Sequence, residues 1–408
     1  MKKACFSFVI ILIFTLIILG ISSIVAHSSD RSYSEAFKSS DIEVISNPKT
    51  PVPEPGKRKR LVFSEELTIG VSEGDEHYMF GETVIFNTDE KGNFYVTDWD
   101  SKRILKYDSK GKYLCTIGRK GQGPGEFQNI SIARFDKEGH IYVTDIANRR
   151  ISFFDTDGQF LRQINMPSVF EDLHVNSKGH FIATQTMGEE TKSGMGYKII
   201  YGVFDENFNL ISEFYSWKWD YKPPEGRDMT SMAKFTAGII SKMAYRPHPV
   251  YVVAENDLIF FGFPDKYEID VYSPEGNKIK TTAREYDPIK VGEKDKEYFQ
   301  ENWVKRFMQD RSEDYIKEAI RFISYPKYKP AYQGIALMKN GWLFVIVEFK
   351  ENEYTLCDLF DEEGKYVGHF KADISPDFLF FKNGKAYSVA TVDDYIYVKR
   401  YSYEIQEY

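Results

Sequence analysis

Lys91-Gly92-Asn93-Phe94-Tyr95-Val96-Thr97-Asp98 is written a second time as Lys137-Glu138-Gly139-His140-Ile141-Tyr142-Val143-Thr144-Asp145, with the glycine and everything after it displaced by 47 residues. The same offset carries Arg103-Ile104 to Arg150-Ile151, Tyr107-Asp108 to Phe154-Asp155, Gly111 to Gly158 and Leu114 to Leu161. Each copy alternates short apolar runs with Asp-x-x-Gly turns, the chemistry of strands joined by tight hairpins. A repeat of this length built from strands and turns predicts blades of a β-propeller.

The residues that carry the pattern are Gly125-Glu126-Phe127, Asp136, Gly139, Ile141-Tyr142-Val143, Asp145, Asn148, Arg150-Ile151, Phe154-Asp155 and Gly158. This run resembles the NHL repeat, and the chain is similar to secreted six-bladed bacterial propellers of the NHL-like and YncE-like kind. The resemblance covers two blades well and implies the fold. Members of that group have diverse functions, and some are lyases or lactonases that hold a metal in the central channel.

Outward from the repeat, six blades are expected at about 82–118, 126–165, 171–214, 248–284, 332–372 and 377–403. Leu61-Val62-Phe63 through Ile69-Gly70 matches the outer strand Tyr113–Gly118 of the first blade. Its place ahead of the first blade predicts that it completes the last one and closes the ring, which removes an exposed sheet edge. Two stretches break the repeat, at about 216–247 and 286–330. The first holds a helical candidate over Met229–Tyr245. The second reads as a helix pair, with Phe299, Trp303 and Phe307 at i, i+4 and a helix capped by Ser312 with Glu313 and Asp314 in its first turn. Both follow an outer strand and flank blade four, so both leave the ring on one face. The expected fold is therefore all-β, a six-bladed propeller closed by an N-terminal strand with helical insertions on one face.

Ahead of this domain, 61–408, stand two other segments. Lys2 and Lys3 precede an uncharged apolar run, Phe6 to Ala26, which reads as an export signal, cleaved or retained as an anchor in residues 1–26. Residues 27–60 are polar, with four prolines between Asn47 and Gly56, and read as an extended spacer. The expected location is outside the cytoplasm: periplasmic, at the cell surface or anchored by the N-terminus. The membrane is then met only through the N-terminal segment.

A net charge of −8 excludes a basic nucleic-acid-binding face. Three cysteines, one of them in the leader, make no disulfide framework, and Cys115 and Cys357 read as small packed residues. The sequence holds no Gly-x-Ser-x-Gly elbow, dinucleotide fingerprint, His-Glu-x-x-His or Cys-x-x-Cys. The loop Gly118–Gly125 could offer backbone amides to an anion, with Arg119 and Lys120 beside it. It also reads as an ordinary crossover between blades. Asp98 and Asp145, with Arg103 and Arg150, repeat at identical blade positions and read as hairpin braces. Trp99 and Asp100 do not repeat. Glu126, Glu171, His174 and His248 stand at or near inner strands, where they could approach the channel. Trp217, Trp219, Tyr221 and the aromatics of 325–332 read either as a binding platform or as packing for the insertions.

These features point first to a binding module for a protein, peptide or glycan, working on the insertion-bearing face, with no cofactor. The alternative is an enzyme of the lyase or lactonase type with a metal-assisted site at the channel mouth, where Ca²⁺ or Zn²⁺ would serve. Trp99, Asp100, Arg119, Lys120, Glu126, Glu171, His174 and His248 are the candidate ligand-binding residues.

Overall fold

A computed structural model describes residues 42–50 and 59–407, apart from 82, 192–193, 221–223, 225, 351–353, 373 and 375–377. The leader, residues 27–41 and the proline-rich run 51–58 lie outside the described residues. No helix among the described residues is long and apolar enough to cross a membrane.

The repeated unit folds as expected because its turns are self-satisfied. The carboxylate of Asp89 accepts the amides of Lys91 and Asn93, and that of Asp136 accepts those of Glu138 and His140, each at 2.9 Å. Asp108 and Asp155 do the same in the next turn of each blade. The fourth turn residue takes a positive φ, +77° at Gly92 and +83° at Gly139, which glycine adopts without strain.

Six sheets result, each with four antiparallel strands of the ring. Blade one comprises Val84–Thr88, Phe94–Asp98, Arg103–Tyr107 and Tyr113–Ile117. Blade two follows with Arg134–Phe135, Ile141–Asp145, Arg150–Phe154 and Phe160–Asn165. Blade three is Val169–Val175, Phe181–Thr191, Gly194–Phe204 and Leu210–Asp220. Blade four is Val250–Val253, Ile259–Gly262, Glu268–Tyr272 and Lys278–Arg284, and blade five is Gly334–Leu337, Leu343–Lys350, Tyr354–Phe360 and Tyr366–Ala372. In blade six, Phe378–Lys382, Lys385–Val392 and Tyr395–Glu407 are completed by Lys59–Ile69, as the sequence predicts.

A blade is too thin to own a core, so the cores lie between blades. Six apolar clusters alternate with the six sheets. Phe86, Phe94 and Val96 of blade one meet Tyr387, Val389 and Val398 of blade six, which seals the ring. Cys357 is buried in the cluster between blades five and six, and Cys115 packs at the edge of the one between blades one and two.

Two segments differ from the expected organisation. Ser216–Asp220, read as the start of an insertion, continues the outer strand of blade three, with Trp217 opposite Ile199 and Trp219 opposite Tyr197. Aromatic and polar residues alternate from Tyr215 to Asp220, a period-two pattern that suits a strand. Glu43–Asn47, read as part of a spacer, is a strand added in parallel to Lys278–Arg284. Its Val44 and Ile45 are β-branched residues with strand preference.

The insertions form one helical unit. Helix α1 is Met229–Ser241. Helix α2, Glu293–Phe299, runs through a π-helical turn, Gln300–Val304, into α3, Lys305–Phe307, and α4 is Glu313–Ile320. Phe299, Trp303 and Phe307 stack in a ladder with centroids 5.4 and 5.5 Å apart. The Ser312 hydroxyl accepts the Tyr315 amide, as its capping role requires. Ala233, Ala237 and Ile240 of α1 share a buried cluster with Phe299, Trp303, Val304 and Ala319. Lys329 ties the unit to the ring, with Nζ 2.8 Å from Asp295 and 2.9 Å from Glu348 of blade five. Burial works against its charge, but the two carboxylates outweigh it and raise its pKa.

Candidate functional site

Strand alternation fixes which turns share a face. The first-to-second and third-to-fourth turns of each blade lie on one face, here the turn face. The second-to-third turns and the crossovers between blades lie on the other. Both insertions are crossovers and so occupy that second face.

A cavity of about 1440 Å³ occupies the channel. It is lined by the inner strands of all six blades and by first-to-second turns such as Asp89–Asn93, Asp136–Gly139 and Ala254–Asp257, so it opens on the turn face. Phe86, Ile132, Val250, Val252, Ile335 and Phe380 supply apolar wall. The cavity is larger than the usual small-molecule pocket, about 300–1000 Å³.

Among the polar residues of the wall, one cluster joins three blades. The inner strand of blade three carries a bulge between Glu171 and His174, and Asp172 within it has φ +47°. A bulge re-aims side chains, and a non-glycine residue in this conformation costs energy that its surroundings must offset. Here the surroundings are specific. Arg134 of blade two forms an ion pair with the Asp172 carboxylate. His174 Nε2 stands 3.6 Å from the same carboxylate oxygen, and Tyr251 Oη of blade four donates to the Asp172 carbonyl at 2.8 Å. Behind the strand, Tyr142 Oη accepts the Val175 amide at 2.9 Å. Three blades thus converge on one strained residue at the cavity wall.

The electrostatics follow from this packing. Burial alone would raise the Asp172 pKa, but the Arg134 guanidinium and His174 outweigh it and hold the carboxylate well below its usual range. Burial, and then Arg134, lower the His174 pKa against the pull of Asp172, which leaves the imidazole neutral at pH 7. Burial and the Asp172 charge push Tyr251 well above its ordinary value, so its hydroxyl stays a donor. The cluster offers a neutral imidazole, a phenol and a paired guanidinium to whatever enters. Arg134, Asp172 and His174 each keep between 14 and 19% of side-chain surface exposed.

Of the sequence candidates, His174 lines this cavity. Trp99, Asp100, Arg119, Lys120, Glu126 and His248 stand in turns and crossovers of the insertion-bearing side, and Glu171 lies within the inner strand of blade three. Trp99 packs beside the cluster between blades one and two, and Asp100 accepts the Thr83 amide at 3.2 Å. Arg119 pairs with Glu126, whose other carboxylate oxygen accepts the Gly123 amide at 2.9 Å. A Cβ on Gly121 would stand 2.1 Å from that oxygen, so the loop is wrapped around its own carboxylate. Lys120 forms a backbone bridge to Phe127 across the loop. Arg150 holds the loop from below, donating to the carbonyls of Gln122, Gly123 and Glu126. Asp145, fully buried, accepts the amides of Gln128, Asn129 and Asn148. Asp145 thus takes the bracing role that its repetition suggested, whereas Arg150 reaches the crossover loop rather than Asp145 across the hairpin.

Glu171 is buried at 4% exposure, one residue before the bulge. His248 packs edge-on against Trp217 below the first insertion, and burial pulls its pKa down to about 4. Tyr221 lies outside the described residues. Asp136, Glu138 and His140 bring three potential metal-ligand atoms within 4.8 Å on one turn of the cavity rim. The Asp136 carboxylate is already engaged by the amides of Glu138 and His140.

Sequence reasoning missed Arg134, Asp172 and Tyr251. A signal existed at one of them. Glu171-Asp172 places two adjacent charges inside the apolar strand Val169–Val175, which no regular period-two strand accommodates.

A member of the DUF4221 family from Bacteroides vulgatus aligns at 11% identity over 86% of this chain and 99% of its own, with a TM-score of 0.50. A Bacteroides fragilis protein described as exported aligns at 13% identity over 89% and 99%, with a TM-score of 0.48. Virginiamycin B lyase from Staphylococcus aureus aligns at 10% identity over 85% and 99%, with a TM-score of 0.43. At such identities the likeness concerns the fold alone. No curated protein matches the chain. The profile of a family described as a domain of unknown function matches residues 82–316, more than half of the sequence. This six-bladed propeller therefore belongs to the DUF4934 family.

Proposed function

We propose that the protein is an exported binding module that takes a segment of a peptide or glycan into the channel from the turn face. The observation that carries this reading is the Arg134–Asp172–His174–Tyr251 cluster, held by three blades in the wall of a cavity that also presents apolar surface. A large cavity with apolar walls and a few convergent polar groups suits a ligand that mixes both characters. The sequence directed attention to the insertion-bearing face; in this reading the helical unit braces blades four and five, and the opposite mouth does the binding. The N-terminal leader supplies export.

Peptide and oligosaccharide arrays probed with the labelled protein test it. A hit whose affinity falls roughly 3–10-fold in Tyr251→Phe, the worth of about one hydrogen bond, supports the reading. Hits indifferent to Tyr251→Phe and to Arg134→Ala contradict it.

A second reading, an acid–base enzyme of the lyase or lactonase type, draws on one observation: a neutral imidazole beside a carboxylate at the cavity wall. His174 would then take the proton, and a divalent ion could assist. Turnover of a lactone or cyclic ester that His174→Ala abolishes would establish it, and chelator would report the ion. Lack of turnover across such substrates leaves the binding module.

A further inference from the structure

Glu43–Asn47 makes a fifth strand on blade four, in register from Glu43 opposite Lys280 to Asn47 opposite Arg284. Every other ladder between the described strands is antiparallel, whereas this one is parallel. It also packs lightly. Glu43, Val44 and Ser46 are exposed, Val44 at 59%. Only two alternate side chains engage the ring. Ile45 lies against Gly364 and Thr282, so close that a Cβ on Gly364 would stand 3.2 Å from Ile45 Cδ1 and 2.6 Å from Thr282 Oγ1. Asn47 is buried, and its amide is read completely. Its Nδ2 donates to the carbonyls of Ala283 at 3.0 Å and Gly364 at 2.9 Å, while its Oδ1 accepts the Tyr366 amide at 2.8 Å.

The partners of Asn47 are backbone groups of two blades, and the seat is stiff. Arg284, which donates to the Lys49 carbonyl at 2.8 Å, is held by the fully buried Asp358. Tyr267, Tyr366 and His369 hold the same carboxylate. Main-chain pairing for affinity and pockets for alternate side chains for specificity are how a sheet edge recognises an added peptide strand. Glu43–Asn47 sits on blade four as a ligand would.

We infer that the outer edge of blade four, with the Gly364–Tyr366 corner of blade five, is a docking site for extended peptide segments. The segment it takes runs parallel and carries a β-branched apolar residue two positions before an asparagine. Glu43–Asn47 is its resident occupant, held in cis. Tethering through the following residues gives this occupant an effective concentration in the millimolar range, so a partner segment must match that or meet a displaced strand.

The test uses the full chain and a fluorescent peptide of the sequence Ile42–Lys49. In the Ile45→Asp/Asn47→Ala variant the edge is vacated, and the peptide should bind at least tenfold more tightly than it does to the wild type. A peptide carrying the Asn47→Ala change should not bind. Failure of the vacated variant to take up the peptide overturns the inference. Hydrogen exchange on the wild-type protein gives a second reading that needs no variant. The amides of Glu43–Asn47 should open far faster than the neighbouring Glu268–Tyr272. If they exchange only with the whole ring, the strand is an integral part of the fold and the inference fails.

Discussion

Removing the Asp358 carboxylate should destabilise the propeller more than almost any other single polar deletion. Asp358 has no exposed side-chain surface, and its oxygens meet Arg284 Nη1 at 2.7 Å, Tyr366 Oη at 3.1 Å, His369 Nδ1 at 2.8 Å and the Tyr267 hydroxyl. Arg284 is itself only 11% exposed and is sandwiched against Tyr366, 4.1 Å from its ring centroid. In Asp358→Ala the guanidinium stays buried without its counter-charge. Breaking a buried pair from one side costs about 3–5 kcal/mol. For a domain of this size that lowers the Tm by roughly 4–7 °C, at about 1.4 °C per kcal/mol. Scanning calorimetry at fixed scan rate, with urea titration where unfolding is reversible, measures both. The companion variant Arg284→Met/Asp358→Leu replaces the pair by apolar groups and should recover more than half of the loss, because much of the cost lies in the stranded charge. An Asp358→Ala loss below about 1 kcal/mol, or a double variant as unstable as the single one, would refute this account of the junction between blades four and five.

Two further outcomes follow from single residues. Gly118→Ala should cost roughly 1–3 kcal/mol from overpacking alone, since φ is +70° and the new Cβ would meet the buried Phe127 ring at 2.1 Å; urea midpoints check it, and a neutral substitution counts against the crossover geometry. His248, with its pKa pulled down to about 4 by burial and by Arg246, binds fewer protons folded than unfolded between pH 6.5 and 4. Stability is therefore full above about pH 6.5 and falls as pH drops toward 4. His248→Asn should flatten that slope in urea titrations, though His174, shifted the same way, leaves part of it; an unchanged profile would mean His248 is not desolvated.

The ring was legible because its blades are written in local chemistry. Asp-x-x-Gly turns and alternating apolar residues mark strands and hairpins without knowledge of any distant contact. The closing strand Lys59–Ile69 could be found for the same reason, since it repeats the pattern of Tyr113–Ile117. The helices were legible from i, i+4 aromatics and from Ser312. The polar cluster was not. Arg134, Asp172 and Tyr251 lie on three blades, and what joins them is one irregular strand whose bulge depends on packing against its neighbours. Glu43–Asn47 escaped for a related reason. It is held by backbone pairing and by one asparagine whose partners are 236 to 319 residues away. The Gly118–Gly125 loop left two readings open in the sequence, an anion cradle and an ordinary crossover, because nothing local says that the carboxylate its glycines surround is that of Glu126.

The central claim is that ligand enters the channel from the turn face. The most direct measurement is calorimetric titration of the tightest array hit into the wild type, Val252→Trp and Tyr298→Ala. Val252 lines the cavity, and an indole there would project into it and obstruct the path along the inner strand of blade four. Tyr298 is exposed on α2, on the helical face. The account predicts at least a tenfold loss of affinity in Val252→Trp and a change within twofold in Tyr298→Ala. Full affinity in Val252→Trp with a loss in Tyr298→Ala would move the site to the helical face and contradict it.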